Sequence, residues 1–184
     1  MHPIHIYIPN TVYFISVRCA GNTKPFAEHR ICQAYLDVLV QKIHDLRFEL
    51  FAYVVMPDHV HLLLRVPQNI SLHKLMNHIN GAASRKLNQL LGTTGQKFWQ
   101  GGFVDVRIRG LIDFAVKVNY IHNNPVKAEL VQEAEQYQFS SAKTYLAQFG
   151  HSLINSRNDD RSKIRIIRQQ ISRVIEVSLM NGTI

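Results

Sequence analysis

Runs of hydrophobic residues along the chain outline four strands and at least four helices. Segments rich in β-branched and aromatic residues predict strands, whereas apolar positions that recur every three or four residues predict helices. The predicted strands cover residues 11–19, 48–55, 59–66 and 98–108. The predicted helices cover residues 28–46, 72–91, 112–123 and 140–149.

Turn and cap residues set the boundaries between these elements. Met56-Pro57-Asp58 separates the second and third strands and predicts a β-hairpin, because proline and aspartate favour turns. Ser71 is a suitable N-cap for the second helix, and Gly92 follows its end. Pro125 disfavours helical geometry in the residue before it, so the third helix has to stop nearby. The order β-α-β-β-α-β-α predicts an α+β fold with helices packed on an antiparallel sheet.

The C-terminal part of the chain has a different pattern. Residues 155–160 are polar and resemble a linker. Between residues 161 and 175, isoleucine and valine fall on one helical face and are surrounded by lysine and arginine. We therefore expect one domain over residues 1–149 and a basic C-terminal helical tail over residues 150–184, which could lie on the domain or on DNA.

Composition narrows the class of protein. The formal net charge of +8 indicates a polyanionic partner, although a basic surface that serves only solubility gives the same charge. No apolar run is long enough to span a bilayer, and the N-terminus lacks the pattern of a secretory signal. Cys19 and Cys32 form no CxxC pair, which favours reduced thiols. We expect a cytoplasmic protein with no membrane partner.

The first candidate site is His59-Val60-His61, at the start of the third strand. Alternate residues of a strand face the same side, so the two imidazoles should project together and could form two corners of a metal site. A pair of surface histidines on an edge strand would give the same spacing. Asp58 could orient His59, or it could serve only the turn.

The second candidate site is the segment around Tyr120. A tyrosine phenol can attack a phosphodiester when a nearby group or metal aligns it, and Asn124 lies one helical turn further on. Asn124 could add a neutral oxygen ligand to the same metal. Taken alone, however, a tyrosine such as Tyr120 is more often a core or interface aromatic than a nucleophile, and His122 could be a residue at the helix end near exposed carbonyls.

Together, in this order and spacing, the two sites resemble the REP-associated tyrosine transposases, a branch of the single-tyrosine HUH transposases. The HUH motif (histidine, hydrophobic residue, histidine) is His59-Val60-His61, and the tyrosine block is Tyr120-Ile121-His122-Asn123-Asn124-Pro125. Further similarity is found at Ala52-Tyr53-Val54-Val55-Met56-Pro57-Asp58, at Phe98-Trp99-Gln100, at Asp105-Val106-Arg107-Ile108-Arg109 and at Tyr137-Gln138-Phe139-Ser140-Ser141.

The resemblance implies a ferredoxin-like sheet with the histidine pair on a central strand and the tyrosine on a neighbouring helix, the HUH endonuclease fold. It implies that Mg²⁺ or Mn²⁺ binds His59, His61 and Asn124, although two imidazoles also suit Zn²⁺ or Ni²⁺. The implied function is cleavage and rejoining of single-stranded DNA at hairpin-forming repeats, with Tyr120 as nucleophile and a 5′-phosphotyrosine intermediate. Such a protein would be associated with the nucleoid, and this branch favours a monomer over a homodimer.

Substrate contacts are expected from basic residues near these motifs, and Phe98 or Trp99 could stack on an unpaired base or belong to the core. Two other functions fit parts of the pattern: a catalytically silent protein that binds hairpin DNA or RNA, and a metal-dependent hydrolase in which Tyr120 is structural. The expected DNA contacts are Arg85, Lys86, Arg107, Arg109 and Lys127.

Overall fold

Four strands form one antiparallel sheet, namely β1 (Val12–Arg18), β2 (Glu49–Val55), β3 (His59–Arg65) and β4 (Val104–Arg107). Their order in the sheet is β2-β3-β1-β4. The structure is a computed structural model that describes residues 8–149. The sheet pairs β3 with β1 and β2 on its two sides, so β3 is an internal strand.

Helices cover both faces of this sheet, which confirms the predicted α+β fold. Ser71 caps the second helix, because its hydroxyl accepts a hydrogen bond from the backbone N–H of Lys74 at 3.2 Å. Gly92 ends that helix in the left-handed region, at φ +67°, as the sequence predicted. The helices are α1 (His29–Leu46), α2 (Leu72–Leu91), α3 (Leu111–His122), α4 (Asn124–Lys127) and α5 (Ala142–Phe149).

The two faces of the sheet support separate hydrophobic clusters. Ile15 and Leu62 belong to the cluster that includes buried residues of α1 and α2. Phe14 and Leu63 belong to the other cluster, together with buried residues of α3 and with Tyr145 of α5. Both faces of β3 are covered, so its three consecutive leucines, residues 62–64, are all buried although they point to alternate faces. This explains why this part of the strand is continuously apolar.

The fourth strand is shorter than predicted, and the prediction for residues 98–103 was wrong. Phe98 and Trp99 are buried among aromatic residues of the cluster under α1 and α2. The Trp99 indole N–H donates to the Asn80 carbonyl at 3.0 Å, so this ring is a core residue and is unavailable for base stacking. Gly102, at φ +76°, separates this segment from the regular strand.

The third helix ends one residue earlier than predicted. It stops at His122, and Asn123 connects it to α4, in which Pro125 occupies an early position that needs no backbone donor. No helix within residues 8–149 is long and apolar enough to cross a membrane. The predicted basic tail, residues 150–184, lies outside the described residues, so the division into domain and tail stays a prediction.

Candidate active site

The histidine pair lies at the start of β3, on the face of the sheet that α3 covers. His59 and His61 have ring centroids 4.6 Å apart, as expected for alternate residues of one strand. The register places them opposite Arg18 and Ser16 of β1. Because β3 is an internal strand, the alternative of a histidine pair on an edge strand is wrong.

His61 is the buried member of the pair, with 4% of its surface exposed. Within residues 8–149, neither ring nitrogen has a hydrogen-bond partner. Burial lowers the pKa of His61 to about 3, and the charges of His59, Lys117 and Arg18 act in the same direction. A contact of the ring with the Ile15 backbone opposes this shift, but it does not have the geometry of a hydrogen bond. The ring is therefore neutral, and a buried nitrogen lone pair is left without a protein donor, which is the state in which imidazole binds metals.

His59 is held by the residue before it. Its Nδ1 lies 2.6 Å from Oδ1 of Asp58, and Arg18 Nη2 lies 4.0 Å from the other carboxylate oxygen. Partial burial of Asp58 raises its pKa, but the hydrogen bond to His59 and the charges of His59 and Arg18 outweigh this and keep the pKa below its usual value. The Asp58 carboxylate thus fixes the ring of His59 by Nδ1, and Nε2 is the atom available to a ligand.

Tyr120 reaches the histidine pair from α3. Its ring centroid lies 5.3 Å from that of His61 and 5.6 Å from that of Phe14, which also contacts His61 at 5.1 Å. The residue is 37% exposed, which distinguishes it from the buried tyrosines of the core. Three residues from β1, β3 and α3 therefore form one ring cluster that is open on the side of Tyr120.

Two ammonium groups flank this cluster. Lys117 Nζ lies 4.5 Å from the Phe14 ring centroid and 5.4 Å from that of Tyr120. Lys127 Nζ lies 5.4 Å from the Tyr120 centroid and extends from α4. The residues around the phenol thus combine a neutral imidazole with two cations, an environment suited to an anionic group of a substrate.

The described residues supply two histidine ligands for a divalent metal, and a third ligand has to come from a different type of side chain. The unpartnered nitrogens of His61 and the free Nε2 of His59 supply two ligands. Within residues 8–149, no group of three or more histidine, cysteine, aspartate or glutamate side chains could hold a metal, so a third protein ligand has to be of another type. Asn124, half-buried at the start of α4 and four residues after Tyr120, has the amide oxygen for this role.

Comparison with known proteins identifies the family. The family model described as "Transposase IS200 like" matches residues 10–124, an interval that includes both histidines, Tyr120 and Asn124. The chain belongs to the IS200-like transposases.

Within this family, the resemblance to REP-associated tyrosine transposases is confirmed by curated relatives. An Escherichia coli (strain K12) protein of that name is 25% identical over 136 residues, which cover 73% of this chain and 78% of that protein. A Haemophilus influenzae protein that carries the same name provisionally is 27% identical over 140 residues, covering 71% of this chain and 78% of that protein.

A solved structure shares the fold. The structure described as a REP-associated tyrosine transposase bound to a REP hairpin superposes with a TM-score of 0.72 at 21% identity, over 87% of this chain and 93% of that one. At this identity the similarity establishes the fold, and the roles of individual residues have to be argued from the site itself.

The predicted DNA contacts of this IS200-like transposase lie in different places. Arg85 and Lys86 are exposed on α2, whose buried side packs on the sheet face opposite the histidine pair. Arg107 is paired with Tyr13 of β1, and the Tyr13 side chain packs in the cluster under α1 and α2. Arg107 therefore also lies on the sheet face opposite the histidine pair. Arg109 is exposed just before α3. Of the five predicted contacts, Lys127 is the one with a described contact to the Tyr120 ring, and the DNA-binding role of all five stays a prediction.

Sequence reasoning misassigned one residue of the tyrosine block. His122 is the last residue of α3 and so lies at the helix end, as predicted, but it is fully buried, and within residues 8–149 its Nδ1 has no hydrogen-bond partner, so it does not bind exposed carbonyls. Its Nε2 lies 2.8 Å from the Ser141 hydroxyl oxygen, and that oxygen accepts a hydrogen bond from the Tyr53 backbone N–H at 3.0 Å. His122 therefore links the tyrosine helix, the segment before α5, and β2.

Three residues of the site were missed. Phe14 and Arg18 reach the histidines only through the pairing of β1 with β3, which the sequence does not specify. Lys117 could have been found, because it precedes Tyr120 by three residues and such residues share a helix face.

Proposed function

We propose that this protein cuts and rejoins single-stranded DNA at hairpin-forming repeats, with Tyr120 as the nucleophile. The observation that carries the proposal is the position of Tyr120. This residue is exposed, and its ring centroid lies 5.3 Å from that of the buried His61, whose ring nitrogens have no hydrogen-bond partner within residues 8–149. A structural tyrosine would not require a buried imidazole without hydrogen-bonding partners beside it. A hydrolase for small neutral molecules would not require the surrounding cations.

The proposed reaction conserves the number of phosphodiester bonds. The phenolic oxygen of Tyr120 attacks the scissile phosphorus, the new phosphorus–oxygen bond forms, and the bond to the 3′-oxygen breaks. The phenolic proton is lost to solvent, and the 3′-oxygen takes up a proton to become a hydroxyl. The 5′-phosphate remains on Tyr120 until another 3′-hydroxyl attacks it, which reverses these steps and rejoins a strand.

His59, His61 and Asn124 would hold the divalent ion, Mg²⁺ or Mn²⁺. A bound ion of this kind polarises a phosphoryl oxygen and stabilises charge in the transition state. The protein keeps these ligands oriented: burial disfavours the protonated form of His61, and Asp58 fixes the ring of His59. Phe14 packs against both His61 and Tyr120 and so limits their relative movement.

Hairpin DNA is the substrate class favoured by two arguments. The net charge of +8 suits a polyanion, and a structure with the same fold is described as bound to a REP hairpin. A duplex would hold its bases stacked and its backbone stiff, whereas a single-stranded flank can bend to bring one phosphate to Tyr120. We expect fully duplex DNA of the same sequence to be a poor substrate.

The test uses a DNA hairpin whose single-stranded flanks are randomised and whose 3′ end is fluorescently labelled, so that the label stays on the covalent intermediate. With Mn²⁺ or Mg²⁺, the wild-type protein should form a labelled adduct that survives denaturing electrophoresis. Tyr120→Phe should form none while still binding the DNA. Tyr53→Phe is a matched control, because Tyr53 packs on the opposite face of the sheet.

Two outcomes would overturn the proposal. An adduct of normal yield with Tyr120→Phe would exclude Tyr120 as the nucleophile. Tight hairpin binding by the wild-type protein without any adduct or cleavage, in either metal, would support the alternative of a catalytically silent binding protein.

A further inference from the structure

Lys117 occupies a position that an ordinary surface lysine would not take. It lies one turn before Tyr120 on α3, and it is half-buried. Its ammonium lies 4.5 Å from the ring centroid of Phe14 and 5.4 Å from that of Tyr120. The charge therefore lies beside two rings of the cluster that contains His61, and within residues 8–149 it forms no ion pair.

The natural partner of a lysine on a helix is a carboxylate one turn away. Asp113 lies four residues before Lys117, but its carboxylate accepts a hydrogen bond from the Arg109 backbone N–H at 3.1 Å. Among residues 8–149, no carboxylate forms an ion pair with Lys117. An ammonium has three hydrogen-bond donors, and the aromatic rings satisfy its charge only in part.

The other lysine of the site differs in its surroundings. Lys127 is exposed on the short helix α4. Of the rings in the cluster, its ammonium contacts that of Tyr120 and not that of Phe14. Lys117 is held against two rings of the cluster, so its ammonium loses little freedom when a ligand binds. A cation fixed in advance stabilises charge that develops in a reaction more effectively than a mobile one.

We propose that Lys117 is a catalytic residue that donates a hydrogen bond to a non-bridging oxygen of the scissile phosphate while Tyr120 attacks. This inference rests on the proposed function. Lys117 transfers no proton in this role, and it acts through its charge and its N–H groups. The alternative is that Lys117 only packs on Phe14 and stabilises the fold.

The first experiment compares single-turnover rates of adduct formation on the randomised-flank hairpin. Lys117→Met keeps an unbranched apolar side chain on Phe14 and removes the charge, and Lys117→Arg keeps the charge. We expect Lys117→Met to lower the rate on the order of 10²-fold, as the loss of one fixed transition-state donor does, while DNA affinity falls less than about tenfold. Lys117→Arg should recover at least about tenfold of that loss.

The matched control is Lys74→Met, which removes the same charge from an exposed position on α2, across the sheet from the site. It should leave the rate unchanged. Thermal unfolding of each variant shows whether it is folded. If Lys117→Met forms the adduct at the wild-type rate, or if its rate falls only in proportion to its folded fraction, the proposal is wrong.

The second experiment does not depend on cleavage. In the Tyr120→Phe protein, amine acetylation at Lys117 and Lys74 is quantified by mass spectrometry with and without the hairpin DNA. Bound DNA should slow acetylation of Lys117 at least fivefold relative to Lys74, whereas equal effects at the two lysines would contradict the proposed phosphate contact.

The two experiments separate failure of this inference from failure of the proposed function. If the wild-type protein forms no adduct but DNA protects Lys117, the phosphate contact stands and the proposed chemistry fails. If the adduct forms normally but Lys117→Met is as fast as wild type and Lys117 is not protected, the proposed function stands and the role of Lys117 is excluded.

Discussion

Replacing His61 with leucine should stabilise the metal-free protein while abolishing its activity. His61 is buried, it packs against Phe14 and Tyr120, and neither of its ring nitrogens has a hydrogen-bond partner within residues 8–149. Folding therefore removes a polar ring from water, and the contact with the Ile15 backbone does not restore a well-formed hydrogen bond. Leucine has a similar volume and carries no such penalty, so the substitution should favour the folded state.

The size of the effect follows from the cost of one buried unsatisfied polar group, about 1–3 kcal/mol. For a domain of this length, each kcal/mol shifts the melting temperature by roughly 2–4 °C. A gain of about 2 kcal/mol therefore corresponds to a rise of roughly 4–8 °C. Imperfect packing of leucine against Phe14 reduces the gain, but it should not reverse its sign.

The assay is urea unfolding of wild type and His61→Leu in the presence of EDTA, followed by circular dichroism. His59→Leu is the contrasting control: it removes the 2.6 Å contact with Asp58, and we expect it to be neutral or destabilising. Neither variant should form the DNA adduct. A His61→Leu protein clearly less stable than wild type in EDTA would refute the view that His61 is an unsatisfied group kept for ligand binding.

Three further predictions concern the metal, the core and the thiols. Mn²⁺ at 100 times its dissociation constant should raise the stability of the wild-type protein by about 2.7 kcal/mol in a thermal-shift assay, and Asn124→Ala should reduce this gain by weakening binding. His122→Ala should destabilise the fold by about 2–4 kcal/mol in urea unfolding, because it leaves a cavity and removes the partner of Ser141; an unchanged midpoint would contradict the link from α3 to β2. Burial raises the pKa of Cys19 and of Cys32 to about 12, so a disulfide reagent should modify them at least about 30-fold more slowly in native than in unfolded protein; rapid native modification would show that they are accessible.

Local signals predicted the elements that carry the chemistry. The hairpin at residues 56–58, the N-cap at Ser71 and the glycine stop at Gly92 depend on neighbours in sequence, and each is present in the structure. The convergence of the histidine pair and Tyr120 was expected from the resemblance to the family. It could not be derived from periodicity, because periodicity does not specify which helix covers which face of a sheet.

The incorrect or missed predictions concern residues whose surroundings are determined by tertiary packing. Phe98 and Trp99 look like strand residues, but the aromatic cluster with Phe26 and Tyr35 draws them into the core and ends regular pairing. His122 looks like a polar residue at a helix end, yet Ser141, nineteen residues later, supplies a buried partner. Lys117 follows a simple helical spacing, and its importance becomes apparent only when Phe14 of β1 is placed beside it.

Peptide mapping of the DNA adduct tests the central claim most directly. Trypsin releases residues 118–127, a peptide that contains Tyr120 and no other tyrosine, serine or threonine. After nuclease digestion of the DNA, we predict that mass spectrometry finds this peptide heavier by a phosphate-linked nucleotide remnant, with fragment ions that place the added mass on Tyr120. A remnant on a different peptide, or a stable phosphoramidate on a histidine, would show that another residue attacks the DNA.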